Sequence, residues 1–290
     1  HHSKKWGFKT HFEWVENKNL AVATQSNKLV YWKSENVLRT VLFGQLSLIY
    51  QPKFLEAHEI SIGLHNGKIA DTVALFNPNY LPAESSKTSQ TAFKAGYTFV
   101  NDKRNRKGYP TKGYLFGLSA NHAQFFNGLH LSSISARINL HHPIKDFHFS
   151  SQTQAFTSFG TTQPYFLQRG FGWNNNLVRG YNYHVIEAEH FAIQKLEFGR
   201  MLTPLQKQFN KLPRQFKLLS ITPVPKAFLD FGYTSSQNFT NNGTLNNQFL
   251  LGYGLGLDLV YYYDNLWRFE YARSIHGTSG LFLNFTMFIQ

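Results

Sequence analysis

The chain has no cysteine, so it carries no disulfide framework and no thiolate chemistry. It has no run of about 20 apolar residues, which excludes a membrane-spanning helix. Charge is scarce too: charged residues are 16% of the 290 positions, against roughly 25% in an average soluble domain. No basic run is long enough to serve as a nucleic-acid-binding arm, so nucleic acid is not expected as a partner. The opening HHSKKWGFKT has no export signal. An exported chain is therefore expected to be the processed form or a piece of a longer one.

Aromatic side chains fill the space that charge leaves. There are 28 Phe, 15 Tyr and 5 Trp, 17% of the chain, yet the mean hydropathy is only −0.34. A transmembrane β-barrel has this profile, because lipid-facing and lumen-facing residues alternate and the hydropathy averages out. A secreted β-sandwich is the soluble competitor. The net charge of +13 favours anionic partners such as lipopolysaccharide phosphates or acidic headgroups. The densest basic stretch, NDKRNRKGYPTKG (101–113), reads as a solvated connection with lipid phosphate as the alternative contact.

Period-2 alternation recurs along the chain. In WGFKTHFEWV (6–15), Trp6, Phe8, Phe12 and Trp14 share one side, with Gly7, Lys9, His11 and Glu13 opposite. VLFGQLSLIY (41–50), GYLFGLSANH (113–122), GLHLSSISARINL (128–140) and DFHFSSQTQAFTSF (146–159) continue the theme between polar breaks. A spacing of about 12–18 residues per strand and turn gives about 16 strands, an even number as bacterial barrels have. No linker or composition shift marks a boundary, so 1–290 reads as one domain. The expected fold is all-β, an antiparallel transmembrane barrel. Closure follows because backbone groups cannot go unpaired in hydrocarbon.

Enzyme chemistry is not expected. His130 lies near Ser132, Ser133 and Ser135, but no acid is placed beside them. HVIEAEH (184–190) offers His184, Glu187, Glu189 and His190 without metalloprotease spacing, and no metal site is expected. No phosphate loop or dinucleotide fingerprint appears, so no cofactor is expected. GYGLGLD (252–258) is a glycine-bearing strand.

One segment stands apart. FLQRGFGWNNNLVRGYNY (166–183) places Arg179 between Val178 and Gly180, followed by Tyr181. It resembles the signature loop of the BamA/TamA outer-membrane assembly-factor superfamily, the bacterial surface antigen family. Further matches follow in order. They are KLEFGR (195–200), where two residues separate Glu197 from Arg200; KAFLDFGY (226–233), with Asp230 before Gly232; and GYGLGLDLVYYYDNLWRFEYARS (252–274). The last, TSGLFLNFTMFIQ (278–290), resembles the family's C-terminal assembly signal through Thr278, Gly280, Leu283 and Phe285.

The resemblance covers residues 165–290 and implies a sixth extracellular loop, about 165–188, folded into the lumen. It implies that Arg179 pairs with Asp230, with Glu197 as a second acidic neighbour, as a structural latch. Gly180 then passes close to the wall and Tyr181 packs against it. Gly280 is expected to weaken the last strand and ease the seam with the first. The family's usual work is insertion of β-barrel proteins into the outer membrane of diderm bacteria, or passage of proteins across it. Nascent barrel proteins and periplasmic or lipoprotein subunits are the implied partners. All 290 residues are needed for the barrel, so no periplasmic POTRA domain is expected here. That leaves an accessory or scaffold barrel, or a passive pore, as alternatives.

Overall fold

A computed structural model describes residues 5–81, 88–161, 163–167, 170–173, 176–209, 218–236, 243–262 and 265–286. The end of the C-terminal signal, 287–290, and residues 168–169 and 174–175 of the signature loop lie outside this set.

The elements follow in chain order as β1 (Trp6–Asn17), β2 (Asn19–Gln25), β3 (Lys28–Lys33), β4 (Arg39–Lys53) and β5 (Glu56–Ile69). After the short helix α1 (Asp71–Phe76) come β6 (Ser89–Asp102), β7 (Gly113–Phe125), β8 (His130–Ile144) and β9 (Phe147–Gly160). The run ends with β10 (His190–Arg200), β11 (Leu205–Gln208), β12 (Leu218–Ser235), β13 (Phe249–Tyr261), β14 (Asn265–Ser274) and β15 (Ser279–Thr286). One antiparallel sheet runs β1-β4-β5-β6-β7-β8-β9-β10-β12-β13-β14-β15, with β11 attached to β12 and the β2–β3 hairpin separate.

The wall therefore has 12 strands among the described residues, where strand spacing predicts about 16. The reason is length. β12 is 18 residues long and β4 and β8 are 15 each, well beyond the roughly 9–11 that a membrane strand needs. Long connections at 18–38, 70–88 and 161–189 consume more chain. For the same reason the signature loop is, among the described residues, the fourth connection at its end of the wall, not the sixth.

Alternation assigns the two faces. On β1, Trp6, Phe8, Phe12 and Trp14 are 57%, 85%, 72% and 66% exposed, an apolar outer band with nothing of the protein over it. On β12, Val224, Lys226, Phe228, Asp230, Gly232 and Thr234 are buried inward, while Leu229, Phe231 and Tyr233 face out. Polar inside and apolar outside is the barrel arrangement. One end has tight turns such as 54–55 and 145–146 beside the longer connection 103–112, while the other carries the signature loop and a cap.

The cap packs Leu20, Val22, Leu38, Ile69, Val73 and Tyr80 against Tyr165 and Phe166 of the loop's first arm. The tip of the β2–β3 hairpin holds the loop from behind: the Val185 N–H donates to the Asn27 carbonyl at 2.8 Å. Among the described residues, β1 and β15 share no ladder with each other.

Candidate functional site: a charged latch inside the wall

The inward face of β13 reads Gly252, Gly254, Gly256, Asp258. Three positions without side chains leave a shallow seat. A Cβ on Gly252 would collide with the Arg179 carbonyl oxygen, and one on Gly256 would meet the Lys226 stem at 3.0 Å and Glu270 at 3.1 Å. Glycine lets the backbone approach that closely. The tip of the loop lies in this seat, with Val178, Arg179 and Tyr181 nearly inaccessible to solvent. Gly180 takes φ +91° as the chain turns beside the Arg273–Ser274 backbone, a conformation that side-chain-bearing residues adopt at a cost.

Arg179 is the hub. Its backbone N–H and Nε donate to Asp230 Oδ2 at 3.0 and 2.8 Å, and Nη2 donates to Oδ1 at 2.5 Å. Nη1 donates to Glu197 and, at 2.9 Å, to Glu270 Oε1. The guanidinium lies 3.8 Å from the centroid of the Phe228 ring. A planar fork suits this combination of bidentate pairing and stacking.

A second tier continues toward the short-turn end. Lys226 Nζ lies 3.4 Å from Glu197, 3.1 Å from Asp258 and 2.9 Å from Glu270. Arg268 forks onto Asp258 at 2.9 and 3.0 Å. Arg179, Lys226 and Arg268 thus face four carboxylates: Asp230, Glu197, Asp258 and Glu270. Lys195, opposite Asp230 in the β10–β12 register, brings a fourth positive charge nearby. Near balance is required here, because an uncompensated charge inside the wall is costly.

Tyr109, from the connection 103–112 at that same end, donates to Asp258 at 3.2 Å. Burial and the Asp258 carboxylate push its hydroxyl pKa up, so it stays a donor. Sequence reasoning singled out Arg179, Asp230 and Glu197, and the fold brings these together. It missed Lys226, Asp258, Arg268, Glu270 and Phe228. Their signal is legible afterwards: Lys226, Phe228 and Asp230 share one face of β12, as Arg268 and Glu270 do on β14.

Tyr181 completes the seat, its hydroxyl 2.6 Å from His276 Nδ1 in the β14–β15 turn. Thr278 lies in that turn, ahead of β15. Its hydroxyl donates to the Gly180 carbonyl at 2.5 Å, so it holds the loop at the opposite end of the strand from the C-terminus. Gly280 faces inward on β15, where the Phe282 ring covers it. Leu283 and Phe285 point outward, 69% and 53% exposed, and Phe285 lies opposite Trp267. The HVIEAEH residues diverge: Glu187 accepts from Thr24, while His190 pairs with Thr157.

The model of the Omp85 superfamily domain matches residues 1–280. Among solved structures, the chain is similar to the crystal structure of BamA from Haemophilus ducreyi lacking POTRA domains 1–3. The identity is 12% and the TM-score 0.62, and the match covers 96% of this chain and 57% of that one. At that identity the likeness is one of fold, and the chain spans a little over half the length of that relative. No curated protein matches.

Proposed function

The chain belongs to the Omp85 superfamily, and from that premise we propose that it acts in the bacterial outer membrane as a barrel that helps other outer-membrane proteins insert or cross. The work proposed is strand pairing at an edge, which calls on no catalytic side chain and no cofactor. The observation that carries this reading is the pair of end strands, β1 and β15, which have no ladder between them among the described residues. Open strand edges present rows of N–H and C=O groups that template an incoming strand. Exposed apolar side chains on both strands, Phe8 and Phe12 on one and Leu281 and Leu283 on the other, support a lipid setting for that seam.

The latch has a defined part in this reading. It fixes the loop to β10, β12 and β14, and Thr278 and Tyr181 fix the loop to the turn that leads into β15. The end strand β15 is thereby anchored at its turn and along β14, while its other edge shares no ladder with β1 among the described residues. The proposed partners are nascent barrel proteins, separate periplasmic or lipoprotein subunits, and outer-membrane lipid.

The test is folding of an unfolded barrel substrate into vesicles that contain the protein. Faster folding than in empty vesicles supports the reading, and equal rates refute it. In cells, depletion is expected to lower the levels of several outer-membrane barrels. Unchanged levels, together with a stoichiometric complex on purification, would assign the chain an accessory role instead.

A further inference from the structure

We propose that the part of the lumen beside the latch, along β8 and β9, binds a small water-soluble oxyanion of the phosphate class, with Arg137 as its anchor. The latch lies against β10, β12, β13 and β14, so the space it leaves runs along the inward face of β8. A cavity of about 380 Å³ is lined by Arg137, Asn139, Gln154, Asn176 and Lys195, among others, and by no carboxylate. A second cavity of about 240 Å³ shares Arg137, Asn139 and Gln152 with it and adds Arg104, Lys107, His141, His148 and Arg268. Its one carboxylate, Glu197, is held by Arg179 and Lys226.

Arg137 sits where the two cavities meet. Its Nε donates to Asn139 Oδ1 at 3.3 Å, which orients the guanidinium. Among the described residues, its terminal nitrogens meet no protein acceptor, and no carboxylate lies within ion-pair distance of Arg137 or Lys195. This contrasts with Arg179 and Arg268 a few strands away, each locked onto an aspartate. A free planar fork is the donor set that two oxygens of a phosphate accept.

The imidazoles add a second, independent observation. His141 Nδ1 is 2.8 Å from the Ser150 hydroxyl, and His148 Nε2 faces the Tyr109 hydroxyl at 3.5 Å. Their other nitrogens, His141 Nε2 and His148 Nδ1, are buried with no partner. Buried polar atoms of native proteins are paired with protein, water or a ligand. With Ser150 donating to Nδ1, His141 Nε2 carries the proton and is a donor in want of an acceptor. Cations lining a cleft with low-dielectric walls focus a positive potential, which concentrates anions inside. The volumes have room for a small oxyanion. The inference rests on the charge distribution of the wall and not on the assembly role.

The experiment is calorimetric titration of the full chain in detergent with inorganic pyrophosphate. Saturable binding is expected, weakened at least tenfold in Arg137→Gln and in Lys195→Gln, and unchanged in Lys145→Gln on an exposed turn. Heat-modifiable mobility checks folding. If Arg137→Gln does not fold, Lys195→Gln alone decides. No saturable binding, or equal binding by the folded lumen variants and the parent, overturns the proposal. Short-chain phosphatidylglycerol is the second probe. Displacement of pyrophosphate by it at comparable affinity would make the ligand a lipid headgroup and overturn the free-anion assignment.

Discussion

Replacement of Arg179 by alanine is the most direct perturbation of the latch. The guanidinium serves three carboxylates, but they do not depend on it equally. Glu197 and Glu270 keep Lys226, and Asp258 keeps Lys226 and Arg268. Asp230 has no other cation within ion-pair distance among the described residues, and it is fully buried. Arg179→Ala therefore strands one buried carboxylate. Breaking a buried pair from one side costs about 3–5 kcal/mol. Asp230→Asn is milder, because Arg179 retains Glu197 and Glu270; one charge-assisted bond is worth about 1.5–3 kcal/mol.

The double variant Arg179→Ala/Asp230→Asn removes the stranded charge together with its partner. Its loss should fall short of the sum of the single losses by at least 1 kcal/mol, roughly, as contacting charged pairs do. The assay is urea unfolding in detergent, followed by tryptophan fluorescence and heat-modifiable mobility. Additivity within about 0.5 kcal/mol, the value for independent sites, would refute the claim that these two side chains hold each other. A neutral Arg179→Ala would refute it more simply.

Two further outcomes follow from the seat. Gly252→Val is expected to displace the loop tip, since even a Cβ collides with the Arg179 carbonyl; the loss is about 1–3 kcal/mol, and limited proteolysis should newly cut within 176–188. Thr278→Val removes the hydroxyl that donates to Gly180 and costs about 1 kcal/mol, read as a small drop in urea midpoint with the wall otherwise intact.

What was legible in the sequence divides along a physical line. The outer face was readable because lipid demands apolar side chains at every second position, as Trp6, Phe8, Phe12 and Trp14 display. Arg179 and Asp230 were readable because the residues around each resemble a known signature. Strand number was not readable, because lengths differ widely where loops and cap extend the ladders. Thr278 was misplaced for a related reason. An alternating pattern does not say where a turn ends, and Thr278 continues the pattern of β15 while its hydroxyl serves the loop.

The second tier of the latch was hidden by a different effect. Lys226, Asp258 and Arg268 lie on three strands, and their spacing carries no information until the register is known. Once Asp230 is set opposite Gly252, antiparallel pairing puts Lys226 opposite Gly256 and carries Asp258 to within reach. The next ladder sets Glu270 opposite the same Gly256. The glycines at 252, 254 and 256 then stop being an oddity of a strand that ought to avoid them. They are the room in which an arginine from a loop and a lysine from the wall share one set of carboxylates.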